Sequence, residues 1–316
     1  MAMKLLLVLC CSVMAALPGY AVASESSSAS VSLRQQASAD LQHRLELRIK
    51  QLHLQRAVRE HRLSVALVDV TDPAAPSLAQ LNGDEMMYAA SLPKIAILLA
   101  AFERIAHGQL ALDDDTRQTM TRMIRYSSNK DATAMIRKVG KEYINRVLES
   151  PRYRLYDPQY NGGLWVGKEY ATGTAFHRDP LHHLSHGATA MQVARFYYML
   201  DTGKLVSPHF SSEMKNILSH PGIHHKFVKG LRNTNAKIYR KSGSWRDFHA
   251  DSALIEHHGR QYIAVALAHD RRGGVWMTRL IAAMDQIIFE HADYVAAEKG
   301  AAHVASLEPT RTKHLM

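Results

Sequence analysis

Apolar residues recur along this chain with two periods, and their alternation outlines the fold. From Asp40 to Glu60, Leu41, Leu45, Ile49, Leu52 and Val58 return at roughly helical spacing, which predicts one long amphipathic first helix. Leu63–Val70 reads as a strand, Asp72-Pro73 and Pro76 as a turn, and Leu78–Asn82 as a second strand. Ile95–Phe102 is apolar throughout and predicts a helix that stops near Gly108. Asp115, with Gln118 three residues on, is expected to cap a helix reaching Arg125, with Asp113 and Asp114 in the solvated turn before it. Another helix spans about Asp131–Val139 and ends at Gly140. Residues 157–187 are rich in Gly, Tyr and His and lack a period; so long an irregular stretch is often functional. Helical spacing resumes over Ala188–Leu200. The chain closes with a strand at Ala236–Tyr239 and a hairpin of Asp251–Glu256 and Tyr262–Leu267 around His258-Gly259. A helix follows from Trp276 to about Ala297. Strands near both ends with helices between them predict an α+β fold, in which distant segments form one sheet around a helical insertion.

Composition narrows the setting. The 316 residues are 47% hydrophobic, enough for one large domain. Lys4, the apolar run Leu5–Leu17 and Ala21-Val22-Ala23 read as a secretory leader over residues 1–23, so the mature chain is expected to be exported, periplasmic or secreted. Cys10 and Cys11 both fall in that leader, which leaves no disulfide or thiol chemistry for the rest. Residues 24–37 are serine-rich and are expected to be a disordered lead-in; one catalytic domain is expected over 38–300, its helical subdomain at about 91–187, and a loose tail over 301–316. No later segment reads as a membrane anchor. The net charge of +10 comes without a zinc knuckle or a basic helix block, so nucleic acid is not an expected partner. His182, His183, His186, His220, His224 and His225 show no zinc-site spacing, so neither metal nor other cofactor is expected. A monomer is the expected state.

Three short motifs carry chemistry. Ser91-Leu92-Pro93-Lys94 puts a hydroxyl and an amine one helical turn apart, ahead of the apolar run. Lys94 is the only charge between Ser91 and Glu103; desolvation there lowers a lysine pKa, and a neutral amine beside a serine makes a nucleophile. Ser127-Ser128-Asn129 follows, and Lys241-Ser242-Gly243 comes after the Ala236–Tyr239 run. Alone, each motif fits an ordinary cap, turn or strand end. Together and in this order they match the Ser-x-x-Lys, Ser-x-Asn, Lys-Ser-Gly set of penicillin-recognising enzymes.

The chain accordingly resembles the class A β-lactamase-type serine hydrolases over most of residues 38–300. The resemblance implies a β-lactamase/transpeptidase-like α+β fold, with the active site between an antiparallel sheet flanked by helices and an all-helical subdomain. It implies that Ser91 is the nucleophile, Lys94 helps remove its proton, and Ser127 relays a proton to the leaving nitrogen. It implies that Asn129, Lys241, Ser242, Gly243 and Ser244 bind substrate, with the N–H groups of Ser91 and Ser244 as the oxyanion hole. The implied activity is amide hydrolysis through an acyl-serine, with β-lactams as candidate substrates. One family element is missing: no Glu-x-x-Leu-Asn motif precedes the helix at Ala188. Glu169 is the candidate base in its place, and Asp179 the lesser one. Two alternatives share the motifs: a D-Ala-D-Ala-type peptidase or other cell-wall amidohydrolase acting on a peptidoglycan-derived amide, and a non-catalytic envelope binding protein on the same scaffold.

Overall fold

Ser38 opens helix α1 (Ala39–Gln51): its Oγ accepts the Leu41 N–H at 3.3 Å, and Leu41, Leu45 and Ile49 form the buried stripe. The computed structural model describes the backbone of residues 32–307 and the side chains of 32–298. The proposed leader, residues 24–31 and residues 308–316 lie outside the described residues. The lead-in expected to be loose is already built from Leu33, which is buried; Arg34 pairs with Asp84 at 2.6 Å, and Ala37 bridges Leu78. The single first helix expected to Glu60 is instead two, because His53 adopts φ 58° and breaks the i→i−4 ladder before α2 (Gln55–Arg59).

Next come β1 (Leu63–Asp69), β2 (Ser77–Leu81) and β3 (Met87–Tyr88), then α3 (Lys94–Ala106). Helix α4 (Asp114–Arg125) is capped by Asp113, whose carboxylate accepts the Thr116 N–H at 2.8 Å; Asp115, two residues on, already lies inside the first turn. Helices α5 (Asn129–Val139) and α6 (Lys141–Glu149) follow, separated by Gly140 at φ 100°. The irregular stretch holds the short strands β4 (Tyr156–Asp157), β5 (Gly162–Gly163), β6 (Trp165–Val166) and β7 (His186–Ala188). The remaining elements are α7 (Ala190–Asp201), α8 (Pro208–Leu218), α9 (Phe227–Gly230), β8 (Lys237–Trp245), β9 (Phe248–His257), β10 (Arg260–His269) and α10 (Gly273–Leu307).

The main sheet has the order β2-β1-β10-β9-β8, antiparallel throughout. Alternate residues of its central strands enter two cores. Val65 and Leu67 of β1 meet α1 and α10 on one face, while Ala66 and Val68 meet α3 and α7 on the other. Helix α3 is buried all round from Lys94 to Glu103, as its apolar sequence demands. Strand β8 ends the sheet order, and β8 and α3 hold the chemistry-bearing motifs against one another.

Candidate active site

Ser91 does not lie on α3 but in the turn that feeds it. Lys94, Ile95 and Ala96 bond back three residues, to Ser91, Leu92 and Pro93, so the entry is tight, and the helix proper starts at Lys94. Ala90, just before, has φ 51°, a conformation a non-glycine residue holds only when its surroundings enforce it. What enforces it is β8. A Cβ added at Gly243 would sit 2.2 Å from Ala89 O and 2.7 Å from the Ser91 nitrogen, so only glycine lets the strand come this close.

Lys94 is fully buried, yet its ammonium has three acceptors: Ser127 O at 2.6 Å, Asn129 Oδ1 at 2.8 Å and Ser127 Oγ at 3.3 Å. Desolvation lowers its pKa to about 7, which leaves a large neutral fraction at neutral pH. Ser127 occupies the α4–α5 turn with φ 56°, left-handed like Ala90; Ser128 behind it caps α5 through the Asp131 N–H at 3.2 Å. Lys241 reaches the same hydroxyl from the sheet, donating to Ser127 Oγ at 2.9 Å and to Ser242 O at 2.6 Å. Burial holds the Lys241 pKa well below its ordinary value, and the nearby charges of Lys94 and Arg240 add to the effect. Two amines on one hydroxyl in a dry site cannot both stay charged cheaply.

The shell behind β8 was not legible in the sequence. Arg240 and Asp251 form a buried ion pair at 2.7 Å, and Ser252 Oγ donates to Lys241 O at 2.9 Å. Lys226 is buried with its amine on two carbonyls, Gly243 O at 2.5 Å and Ala250 O at 3.0 Å; desolvation lowers its pKa to about 8. Ser242 is buried, whereas Ser244 is exposed with Oγ 3.5 Å from His249 Nδ1.

The loop side differs from expectation. The Glu169 carboxylate is tied to Arg137 at 2.7 Å and Lys141 at 3.1 Å, and those two cations hold its pKa down to about 2. No carboxylate among the described residues hydrogen-bonds Lys94, Ser127 or Lys241. Tyr170, the next residue, faces the site instead: its ring centroid lies 4.4 Å from Lys94 Nζ, and its hydroxyl donates to Ala90 O at 3.1 Å. His186 stacks on that ring at 4.2 Å, and burial lowers its pKa to about 4, so it is neutral. Asp179 is fully buried and organises the loop, accepting the N–H groups of Leu181, His182 and Leu184. His182 bonds Asn161, and no group of three His, Cys, Asp or Glu among the described residues could hold a metal. No helix among them is long and apolar enough to cross a membrane.

The fold recurs in solved structures. PBP-A superposes with a TM-score of 0.60 at 16% identity, covering 80% of this chain and 97% of its own. A β-lactamase from Sphaerobacter thermophilus DSM 20745 gives 0.59 at 15%, covering 76% and 95%. A PBP-A mutant, solved as an acyl-enzyme complex with penicillin G, gives 0.60 at 16%, covering 80% and 98%. No curated protein matches the sequence. The model of the Beta-lactamase enzyme family matches residues 44–117 and 115–292, which together span most of the domain. The chain belongs to the β-lactamase enzyme family and is a serine hydrolase acting on amide bonds.

Proposed function

We propose that this chain is an exported acyl-serine enzyme that opens amide bonds readily and releases the acyl group slowly. The observation that carries the reading is the double approach to Ser127 Oγ by Lys94 and Lys241, while Gly243 abuts the Ser91 amide. Neutral Lys94 takes the Ser91 proton as Oγ attacks the carbonyl carbon. The N–H groups of Ser91 and Ser244 receive the developing oxyanion, a term worth on the order of 3 kcal/mol per donor. Lys226, by donating to Gly243 O, polarises the peptide unit whose other end is the Ser244 N–H. Ser127 passes its proton to the leaving nitrogen as the C–N bond breaks and takes up the one Lys94 removed from Ser91, while Lys241 keeps that hydroxyl in place. Lys241 and Ser242 attract the carboxylate that a β-lactam carries beside its scissile amide, or the peptide carbonyl in the same place, and Asn129 binds the side-chain amide. The product is an ester on Ser91 plus a free amine.

Release needs a base to activate water, and Glu169 is held by two cations while Tyr170 covers Lys94 from the loop side. This favours a cell-wall peptide amide as the working substrate, with β-lactams as long-lived acylating agents rather than rapidly hydrolysed ones. The test is intact-mass spectrometry over time after mixing with penicillin. The wild type is expected to gain one penicillin mass on Ser91 that persists, with turnover far below the typical enzyme value of about 10 per second. Ser91→Ala, folded by circular dichroism, should gain none. Absence of any adduct and of cephalosporin turnover in the wild type would remove the reading; fast turnover would restore a true β-lactamase.

A further inference from the structure

A groove of about 1080 Å³ lies between the C-terminal half of α8, residues 219–224 and the first half of β8. Its walls include Tyr126, Asn216, His220, His224, Lys237 and Tyr239. No site residue lines it, but two of its lining residues neighbour site residues along the chain. Tyr126 immediately precedes Ser127. Along β8, Lys237 and Tyr239 share a face with Lys241, which reaches Ser127 Oγ; Ile238 on the other face lines the groove as well, so the groove follows the edge of the strand. The Tyr126 wall is braced from behind: Gly222 N–H donates to Arg125 O at 3.1 Å, and Gly222 packs so closely on the Tyr126 ring that a Cβ there would lie 2.5 Å from it.

Direction follows from the reading proposed above, on which this inference rests. Ser127 hands its proton to the leaving nitrogen, so whatever that nitrogen carries departs past Ser127, toward Tyr126 and the groove. The volume sits at the upper end of clefts that enclose drug-sized ligands, more than a single released amino acid fills. None of the lining residues is Asp or Glu. Lys215 is matched by Glu256 at 2.8 Å and by Asp201; Lys237 shares Glu256 at 3.8 Å but is 76% exposed, which makes it the groove's lysine most open to a ligand. Strand β8 pairs only with β9 among the described residues, so its outer edge can take an extended peptide as a further strand.

We propose that this groove is a leaving-group subsite for a peptide longer than one residue that bears a free carboxylate. The preferred substrate is then an internal amide with peptide on both sides, not a terminal residue to be trimmed.

The test uses two synthetic substrates with one acyl part ending in D-alanine. In one the leaving amine belongs to a single D-alanine; in the other it belongs to a tripeptide with a free carboxylate. The wild type is expected to show at least tenfold higher kcat/KM on the second. Lys237→Glu and Asn216→Trp should each reduce that ratio at least fivefold. A merely structural role would lower both values together and leave the ratio unchanged. Equal efficiency on both substrates, or a ratio unmoved by either variant, overturns the subsite while penicillin labelling on Ser91 still upholds the acyl-serine reading. Neither cleavage nor labelling overturns both.

Discussion

The two walls of the cleft are built differently. The wall proposed to make the acyl bond stands on regular elements: a helix buried all round, a capped helix–helix turn and an edge strand locked to its neighbour through Lys241↔Ser252 and Gly243↔Ala250. Its polar atoms meet at 2.6–3.3 Å, and its amines are stripped of water. The wall that would break the acyl bond is the irregular stretch between α6 and α7. There the near carboxylate is spent on surface cations, and an aromatic stack fills the space beside Lys94. On the proposed reading, bond making and bond release are separable structural devices, and this chain is provided with the first.

Three experiments press on that contrast. The largest effect is expected at Lys94. Lys94→Met should slow acylation about 10³-fold, within the range for loss of a general base, and wild-type acylation should rise with pH through about 7. The same variant reports stability. The folded pKa lies below the unfolded value of 10.5, so the unfolded chain binds more protons between about 7 and 10.5. Wild-type stability therefore grows as pH rises across that window and is lowest below it. Lys94→Met should lessen that slope, to which Lys226 and Lys241 also contribute, and raise Tm at pH 7, as burying an apolar group in place of a charge often does. An active Lys94→Met enzyme would break the contrast on its stronger side.

An intermediate effect is expected behind the strand. Lys226→Met should lower kcat about tenfold, equivalent to about 1.4 kcal/mol, with KM nearly unchanged, and Lys226→Arg should recover part of the loss. A change in KM alone would show that Lys226 shapes binding rather than the oxyanion donor. The smallest effect is expected on the loop. Glu169→Gln should alter the lifetime of the penicillin adduct by less than twofold. A tenfold longer lifetime would make Glu169 the releasing base after all and erase the difference between the walls.

What could be read from sequence was local. The sheet strands and the hairpin turn at His258-Gly259 follow from alternation and turn chemistry, and α3 from its apolar run. The meeting of Lys94, Ser127 and Lys241 was signalled by three motifs only because their order is distinctive. What escaped needed partners far along the chain. Arg137 and Lys141 claim Glu169 across 32 and 28 positions, and Lys226 finds Gly243 O from a loop without periodicity. Helices α6 and α8 were not read. Among three consecutive aspartates, choosing Asp113 over Asp115 as the cap depends on where the backbone turns, a matter of packing against α5 and α8 and not of composition.

One strand carries both ends of the proposed reaction. Tyr239, Lys241 and the peptide after Gly243 ride on β8, whose alignment with β9 is set by a two-residue connection at Arg246-Asp247. A slip by a single position would turn every one of these groups to the opposite side at once. Inserting or deleting a residue in that short connection should therefore act as an all-or-none switch on activity.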